Sequence, residues 1–489
     1  MRKSLLLLLS LLIISTMLLS ACAKATTEAP DADTGDTEPV DTGDDDEEDA
    51  PEPGKTVLNV WSFTNEILTM AIAFEGKNPD VDVVYTMIPM TNGEYQTKLK
   101  AAIGTTDIPD VVALEAAFVK EWVEADFLAD LGDLLPLAEE LQTYPAVTAV
   151  GSHNGVQKAF SYQATPGAFE YRRSIATECL GTDDPDEVQA MVADMDKFVE
   201  TAEKIKTCGT GDYYMVGTAA ALFNPYLQNR AQPWVVDDEL VIDPMVIDYI
   251  KFAKLMRDNG YESQAGQWSE GWFAGMSDTL VDADGVEKKI FSYFMPTWGL
   301  PYVLMPNSKT EDGSSDTGGD WAMIAGPIPY QWGGTWVGAM ADSANLDLAK
   351  DFVTFVALDK ENLTNWATGV YTNDYLAAID PDVPEDQKQD MGDFVSSQVV
   401  VEEITSFFDG SDLYNWLGGQ NNYEAFGKAA PNVSGALLTG SDDAIQRPLE
   451  SARDEYLSGN ITWDEMWNQW LDQVRNLFPE LIIPDAPAE

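Results

Sequence analysis

The sequence is poor in the residues that most catalytic chemistry draws on. Its 489 residues contain one histidine, His153, and three cysteines. His153 stands beside Gly151, Asn154 and Gly155, a turn-like setting. A single histidine excludes a His-x-x-x-His zinc site and argues against a Ser-His-Asp triad. Basic residues are also scarce: 28 Lys and Arg face 83 Asp and Glu, for a formal charge of −55. That surface repels phosphate backbones and anionic headgroups, so nucleic acid and direct electrostatic membrane binding are excluded as partners. There is no G-x-x-x-x-G-K-[ST] phosphate loop, so the chain is not expected to hydrolyse ATP, and no solenoid or propeller repeat. A glycosidase needs only two carboxylates, and an acid-rich chain offers so many pairs that none is informative. The VDADGVE stretch (281–287) lacks the later acidic ligand of a calcium loop and reads as a turn. No cofactor or metal is expected.

What the chain does have begins at its start. Arg2 and Lys3 precede an aliphatic run, Ser4 to Leu19, closed by Leu19-Ser20-Ala21-Cys22. The run is short for a bilayer span, which needs about 20 residues, and small residues at its end mark a cleavage site. The pattern resembles a bacterial lipoprotein signal over 1–21, with Cys22 as the lipidated new N-terminus. The alternative is an ordinary secretory signal cleaved near Ala21, leaving Cys22 an incidental thiol. No second apolar run approaches spanning length, so membrane attachment would be through Cys22. From there to Gly54 the chain is Thr, Pro, Gly, Ala and acids, including Asp44-Asp45-Asp46-Glu47-Glu48-Asp49. Almost no large apolar side chain is available to offset chain entropy, so 22–54 reads as an extended acidic spacer. The body from Lys55 onward keeps 25 basic and 70 acidic residues, a charge of −45. Cys179 and Cys208 are left in it, either bridged, as an exported protein allows, or free and buried.

The body alternates strands and helices. Predicted strands are 56–61, 81–88, 111–114, 167–173, 289–295 and 333–340; predicted helices include 63–77, 95–103, 186–206, 244–258, 345–358, 443–457 and 462–477. Alternation of this kind points to α/β architecture with largely parallel sheets, in which ligands sit at the carboxyl ends of strands. Trp61 and Glu115 fall at such ends.

A series of segments, in order, resembles extracellular solute-binding family 1 of the ABC importers, which includes maltose-binding proteins. They are TVLNVWSFTNEI (56–67), AFEGKNPDVDVVY (73–85), YQTKLKAAIGTTDIPDVVAL (95–114), FLADLGDLL (127–135), SYQATPGAFEYRRSIA (161–176), FSYFMPTWGLPYV (291–303), NLDLAKDFVTFVAL (345–358) and YLSGNITWDEMWNQW (456–470). The family usually carries Asn-Lys where this chain has Arg172-Arg173, and most members are less acidic. The resemblance implies a two-lobed α/β, periplasmic-binding-protein-like fold of type II. Each lobe would be a mainly parallel sheet flanked by helices, with crossings near 158–166, 326–332 and 398–410. Lobe 1 would hold 55–160 and 330–400, and lobe 2 would hold 161–329 and 401–489. It implies a non-enzymatic, monomeric carrier on the outer face of a bacterial cell membrane, in a cell lacking an outer membrane. The carrier would bind a carbohydrate, an oligosaccharide above all, and deliver it to a permease. A secreted glycoside hydrolase, or a binder of a peptide or polyol, remains the alternative.

Aromatic planes match the C–H faces of a sugar, while carboxylates and amides match its hydroxyls. The candidate ligand contacts are Trp61, with Asn65 and Glu66 just beyond it, and Glu115. Tyr162 and Gln163 are added at the first crossing, and Trp298 where the family commonly places a stacking tryptophan. Trp332 and Trp336 flank Gly333-Gly334, and Trp416 precedes Gly418-Gly419-Gln420. Core packing is the competing reading for each tryptophan. Trp463, Trp467 and Trp470 share one helical face and read as core or lobe contacts.

Overall fold

A computed structural model describes residues 54–208, 211–381 and 393–489. The expected signal peptide, the lipidation at Cys22 and the spacer up to residue 53 lie outside them. Among the described residues no helix is long and apolar enough to cross a membrane.

Nine strands form two main sheets. They are β1 (Thr56–Ser62), β2 (Val81–Met87), β3 (Val111–Glu115), β4 (Phe160–Ser161), β5 (Gly167–Arg172), β6 (Tyr213–Val216), β7 (Lys289–Pro296), β8 (Trp321–Ile324) and β9 (Thr335–Ala339). The first sheet has the order β2-β1-β3-β9-β4 and the second β8-β5-β7-β6. β1 runs parallel to β2, from Thr56↔Val81 to Ser62↔Met87, and parallel to β3. β9 is antiparallel to both β3 and β4. In the second sheet only β6 and β7 are parallel; β5 is antiparallel to β7 and β8. The sheets are therefore mixed rather than mainly parallel. The cause is the crossing chain: β5 follows β4 after five residues with no helix between. β9 likewise returns from β8 directly, so neither strand is laid down by a right-handed βαβ turn.

Each sheet buries its faces under helices, which gives two lobes. In the first, Leu58, Val60, Val111 and Ala113 lie under the helices Asn65–Lys77 and Leu346–Leu358, with Phe74 edge-on to Phe352 at 5.2 Å. On the opposite face Val112, Leu114, Trp122 and Trp336 form a separate cluster. In the second lobe Phe169, Tyr171 and Phe291 pack with helices that include the last two, Asp442–Leu457 and Trp463–Leu477. Trp463, Trp467 and Trp470 are all buried there, as their spacing predicts.

The single helix expected over 186–206 is two, Pro185–Met191 and Met195–Cys208. Asp194 breaks it, because its carboxylate caps the second helix by accepting the Lys197 N–H at 2.9 Å. Cys179 and Cys208 are bridged, with Cα atoms 5.4 Å apart, tying Arg173–Leu180 to the end of Met195–Cys208. The Arg172-Arg173 departure is structural: buried Arg172 forks onto Asp278 at 2.7 and 3.1 Å and reaches Asp320 at 2.8 Å. Arg173 bonds the carbonyls of Trp321 and Leu417.

Three crossing segments lie side by side between the lobes; the third runs through Phe394 to Ser396 and not over 398–410, where the helix Gln398–Ile404 begins. The first is central. Its Ala164 N–H bonds Phe394 O and its Tyr162 O accepts from Ser396, both at 2.9 Å, while Gly167 and Thr165 bond Tyr330 and Trp332 on the other side.

Candidate functional site

The ends of β1, β3 and β7 meet these crossings, and polar side chains run across the junction. Glu115, at the end of β3, lies opposite Thr335 on β9. Its carboxylate accepts the Ala117 N–H at 2.7 Å, and the neighbouring Ala116 N–H binds Gly334 O at 3.0 Å. Nearby, the Tyr162 hydroxyl donates to the Glu66 carboxylate. Glu66 sits in the first turn of Asn65–Lys77, next to Asn65, behind the capping Thr64. Across from Glu66 is Asp393 of the third crossing, which accepts from Gln163. Thr297, which precedes Trp298, donates its hydroxyl to Ala164 O of the first crossing at 3.4 Å. Polar groups thus reach from the first lobe through the crossings to Trp298 at the end of β7 in the second.

The three carboxyls share a peculiarity. Burial pushes Glu115 up to about 7 and Glu66 up to about 8, with Asp393 adding to the rise at Glu66. Asp393 is itself raised by burial to about 6. Among the described residues no lysine or arginine acts on any of the three, and the other charge felt is Asp443, which raises Glu115 further. Desolvation without a counter-cation is the dominant cause.

Beside the polar groups stands an aromatic group. The Trp298 indole N–H donates to Trp332 O at 2.8 Å, and the two rings are edge-on at 5.4 Å. Gly333 permits that contact, since a Cβ there would lie 2.7 Å from the Trp298 nitrogen. Trp268 completes the group, parallel to Trp298 within 4° at 6.5 Å and edge-on to Trp332 at 5.8 Å. Trp268 is 49% exposed and has φ of 68°, a left-handed backbone that costs a bulky residue roughly 1–2 kcal/mol. An exposed indole held in a strained conformation is a mark of binding rather than packing.

Trp61 is partly buried against the first-lobe cluster, and its carbonyl accepts the Tyr95 hydroxyl at 3.1 Å. Trp336 is 2% exposed; its ring faces that cluster, and its N–H is bound to Val147 O at 2.9 Å. Trp336 nevertheless lines a small pocket of about 10 Å³ with Tyr144, Val147, Gln163, Thr165, Gln331, Ala430 and Val433. Trp416 stands apart: it stacks on Trp321 at 5.9 Å and bonds Ser308, so packing occupies both its face and its N–H. The structure therefore brings Glu66, Glu115, Tyr162, Gln163, Trp298 and Trp332 into one junction, with Asn65 and Trp61 at its edge. Sequence reasoning missed Trp268, Thr297, Thr335 and Asp393. For Trp268 a local signal exists, a Trp set directly before the capping Ser269 of Glu270–Met276. For Asp393 there was none.

Two lobes joined by crossing strands, with aromatic faces and hydrogen-bonding groups at the join, define a protein that holds a small molecule between them. The chain belongs to the bacterial extracellular solute-binding protein family, whose model matches residues 69–391. No curated protein matches the sequence. Solved structures carry the same fold. An extracellular solute-binding protein of family 1 aligns at TM-score 0.68 and 16% identity, over 86% of this chain and all of its own. The sugar-binding protein MalE of Xanthomonas citri aligns at 0.62 and 15%, over 87% of this chain and 97% of its own. An ABC transporter-associated protein of B. animalis subsp. lactis, in complex with β-1,6-galactobiose, aligns at 0.60 and 19%, over 88% and 100%.

Proposed function

We propose that the chain is the extracellular binding component of an ABC importer, tethered through Cys22, which carries a carbohydrate to a membrane permease. The observation that carries this reading is the Trp268-Trp298-Trp332 group set against the polar residues Glu115, Tyr162, Glu66 and Asp393. Indole faces suit the apolar faces of a pyranose, and the carboxyl and amide groups suit its hydroxyls. Family membership and the sugars bound by several proteins of the same fold support it. The ligand would touch both lobes and so favour their closed arrangement by its greater affinity for it.

Calorimetric titration against a panel of neutral di- and oligosaccharides is the test. A saturable heat for at least one, with no product after hours, is expected. Trp298→Ala should weaken binding at least tenfold, the loss of roughly 1–3 kcal/mol of aromatic contact. Cleavage of the bound sugar would overturn the carrier reading in favour of a glycosidase. Binding unchanged by Trp298→Ala would remove the site.

A further inference from the structure

The loop between the helices Asn422–Ala429 and Asp442–Leu457 is anchored in the second lobe but ends on the first. Its anchor is rigid. Asp442 accepts from the Thr439 N–H at 3.2 Å and the Thr439 hydroxyl at 2.5 Å, fixing the turn before the helix. The same carboxylate pairs at 3.2 Å with Arg230, both side chains being buried, and that guanidinium lies 4.4 Å over the Trp234 ring of the second-lobe core.

From that anchor the loop reaches two first-lobe helices, Val119–Glu124 and Pro145–Val150. Gly435 is buried there: a Cβ on it would lie 2.8 Å from the backbone oxygen of Ala146 and 2.4 Å from a Val150 methyl. At Gly440 a Cβ would lie 3.1 Å from the Cα and 3.3 Å from the nitrogen of Glu121. The Gly440 N–H donates to the Glu124 carboxylate at 3.1 Å. Between the glycines, Leu438 packs on the first-lobe cluster that includes Trp122 and Trp336. Neither Gly435 nor Gly440 has a positive φ. Their backbone would accept alanine, so what requires glycine is the nearness of the other lobe.

We propose that the 435–440 turn is a latch between the lobes. It holds the two lobes in this arrangement by seating bare backbone on the helices Val119–Glu124 and Pro145–Val150. The root of the loop, Ala430 and Val433, lines the cavity opposite Tyr144 and Val147. The root of the latch therefore packs beside Gln163 and Thr165 of the first crossing. The inference uses the two-lobed carrier reading but not the identity of the ligand.

The test needs no ligand. Small-angle scattering of the purified chain should give a compact body, near the radius of gyration of about 22 Å expected for its globular part. Gly435→Ala/Gly440→Ala introduces one methyl group that cannot be seated against the Ala146 carbonyl oxygen and a second that crowds the backbone of Glu121, while adding no strain to either backbone. The variant should show a larger radius of gyration and a longer maximum dimension, with an unchanged circular dichroism spectrum. Glu124→Ala, which deletes the acceptor alone and leaves both glycines, should shift the same way by less. If the double variant fails to fold, Leu438→Ser serves in its place with the same expected expansion. Scattering from the variants that superimposes on the parent's overturns the latch, as does a parent already as expanded as the variant. A chain that binds no sugar yet expands on latch substitution separates failure of the sugar reading from failure of this one.

Discussion

Glu66 carries its carboxyl into a place where no described cation acts on it, and the consequence can be measured. In the unfolded chain a glutamate titrates near 4.5; in the fold burial and Asp393 hold the proton on to about 8. The folded state then binds more protons than the unfolded one across that interval, so this group's contribution to stability falls as pH rises from about 4.5 toward 8. Glu66→Gln keeps an acceptor for the Tyr162 hydroxyl but cannot ionise. Relative to the parent it should gain on the order of 1–2 kcal/mol between pH 5 and pH 8, read as urea midpoints at both. Parallel profiles for parent and variant would mean that Glu66 ionises freely. The same scale shows why some site residues were legible and others not. Glu115 and Trp298 could be brought to the junction from sequence because both follow strand ends, where α/β sheets commonly place ligand sites. Trp416 and Trp336 looked alike in their Gly-rich surroundings, but which side an indole faces depends on Trp321 and Val147, distant in sequence. Asp393 joins Glu66 only through the third crossing, 327 positions away, and no local pattern records that.

Elements were more legible than their assembly. The helix Pro244–Asp258 has both predicted bounds, and the other predicted strands and long helices begin and end within two residues of expectation, because apolar periodicity and caps are local properties, while the short strands β4, β6 and β8 were missed. The exception, the break at Asp194, turned on a side chain preferring to cap rather than to continue a helix. Strand direction was not local and was read as too parallel, since it depends on where the chain crosses between lobes. The disulfide was left open because spacing fixes no distance. Its role follows from the elements it joins: Cys179 ends one helix and Cys208 another, 29 residues on. Closing a loop of that length constrains the unfolded chain by about 3–4 kcal/mol. Cys179→Ser/Cys208→Ser should lose roughly that much stability in urea, and dithiothreitol should lower the parent to the level of the variant. A parent insensitive to reduction would show the second lobe held by its core alone.

At the scale of the molecule, the proposed carrier reading makes charge a selector of ligand. The body carries 70 acids against 25 bases, and the junction repeats that bias with Glu66, Glu115 and Asp393, on which no described cation acts. A neutral sugar meets acceptors and protonated acids there, both of which serve hydroxyls. A uronic acid brings a carboxylate. At about 6 Å from one ionised junction acid, with an effective dielectric constant near 20, the repulsion is about 3 kcal/mol, or roughly a hundredfold in affinity. The penalty depends on ionisation, and Glu115, raised to about 7, gains charge between pH 6 and pH 8. Replacing one sugar of the best neutral ligand by its uronic counterpart should therefore weaken binding modestly at pH 6 and at least tenfold at pH 8. Glu115→Gln should narrow the difference at pH 8 while leaving the neutral ligand nearly unaffected. Salt should do less, because screening acts mainly on exposed charges and these groups are largely withdrawn from solvent. Equal affinity for the two sugars at pH 8 would place the ligand away from the junction acids, on the tryptophan faces alone.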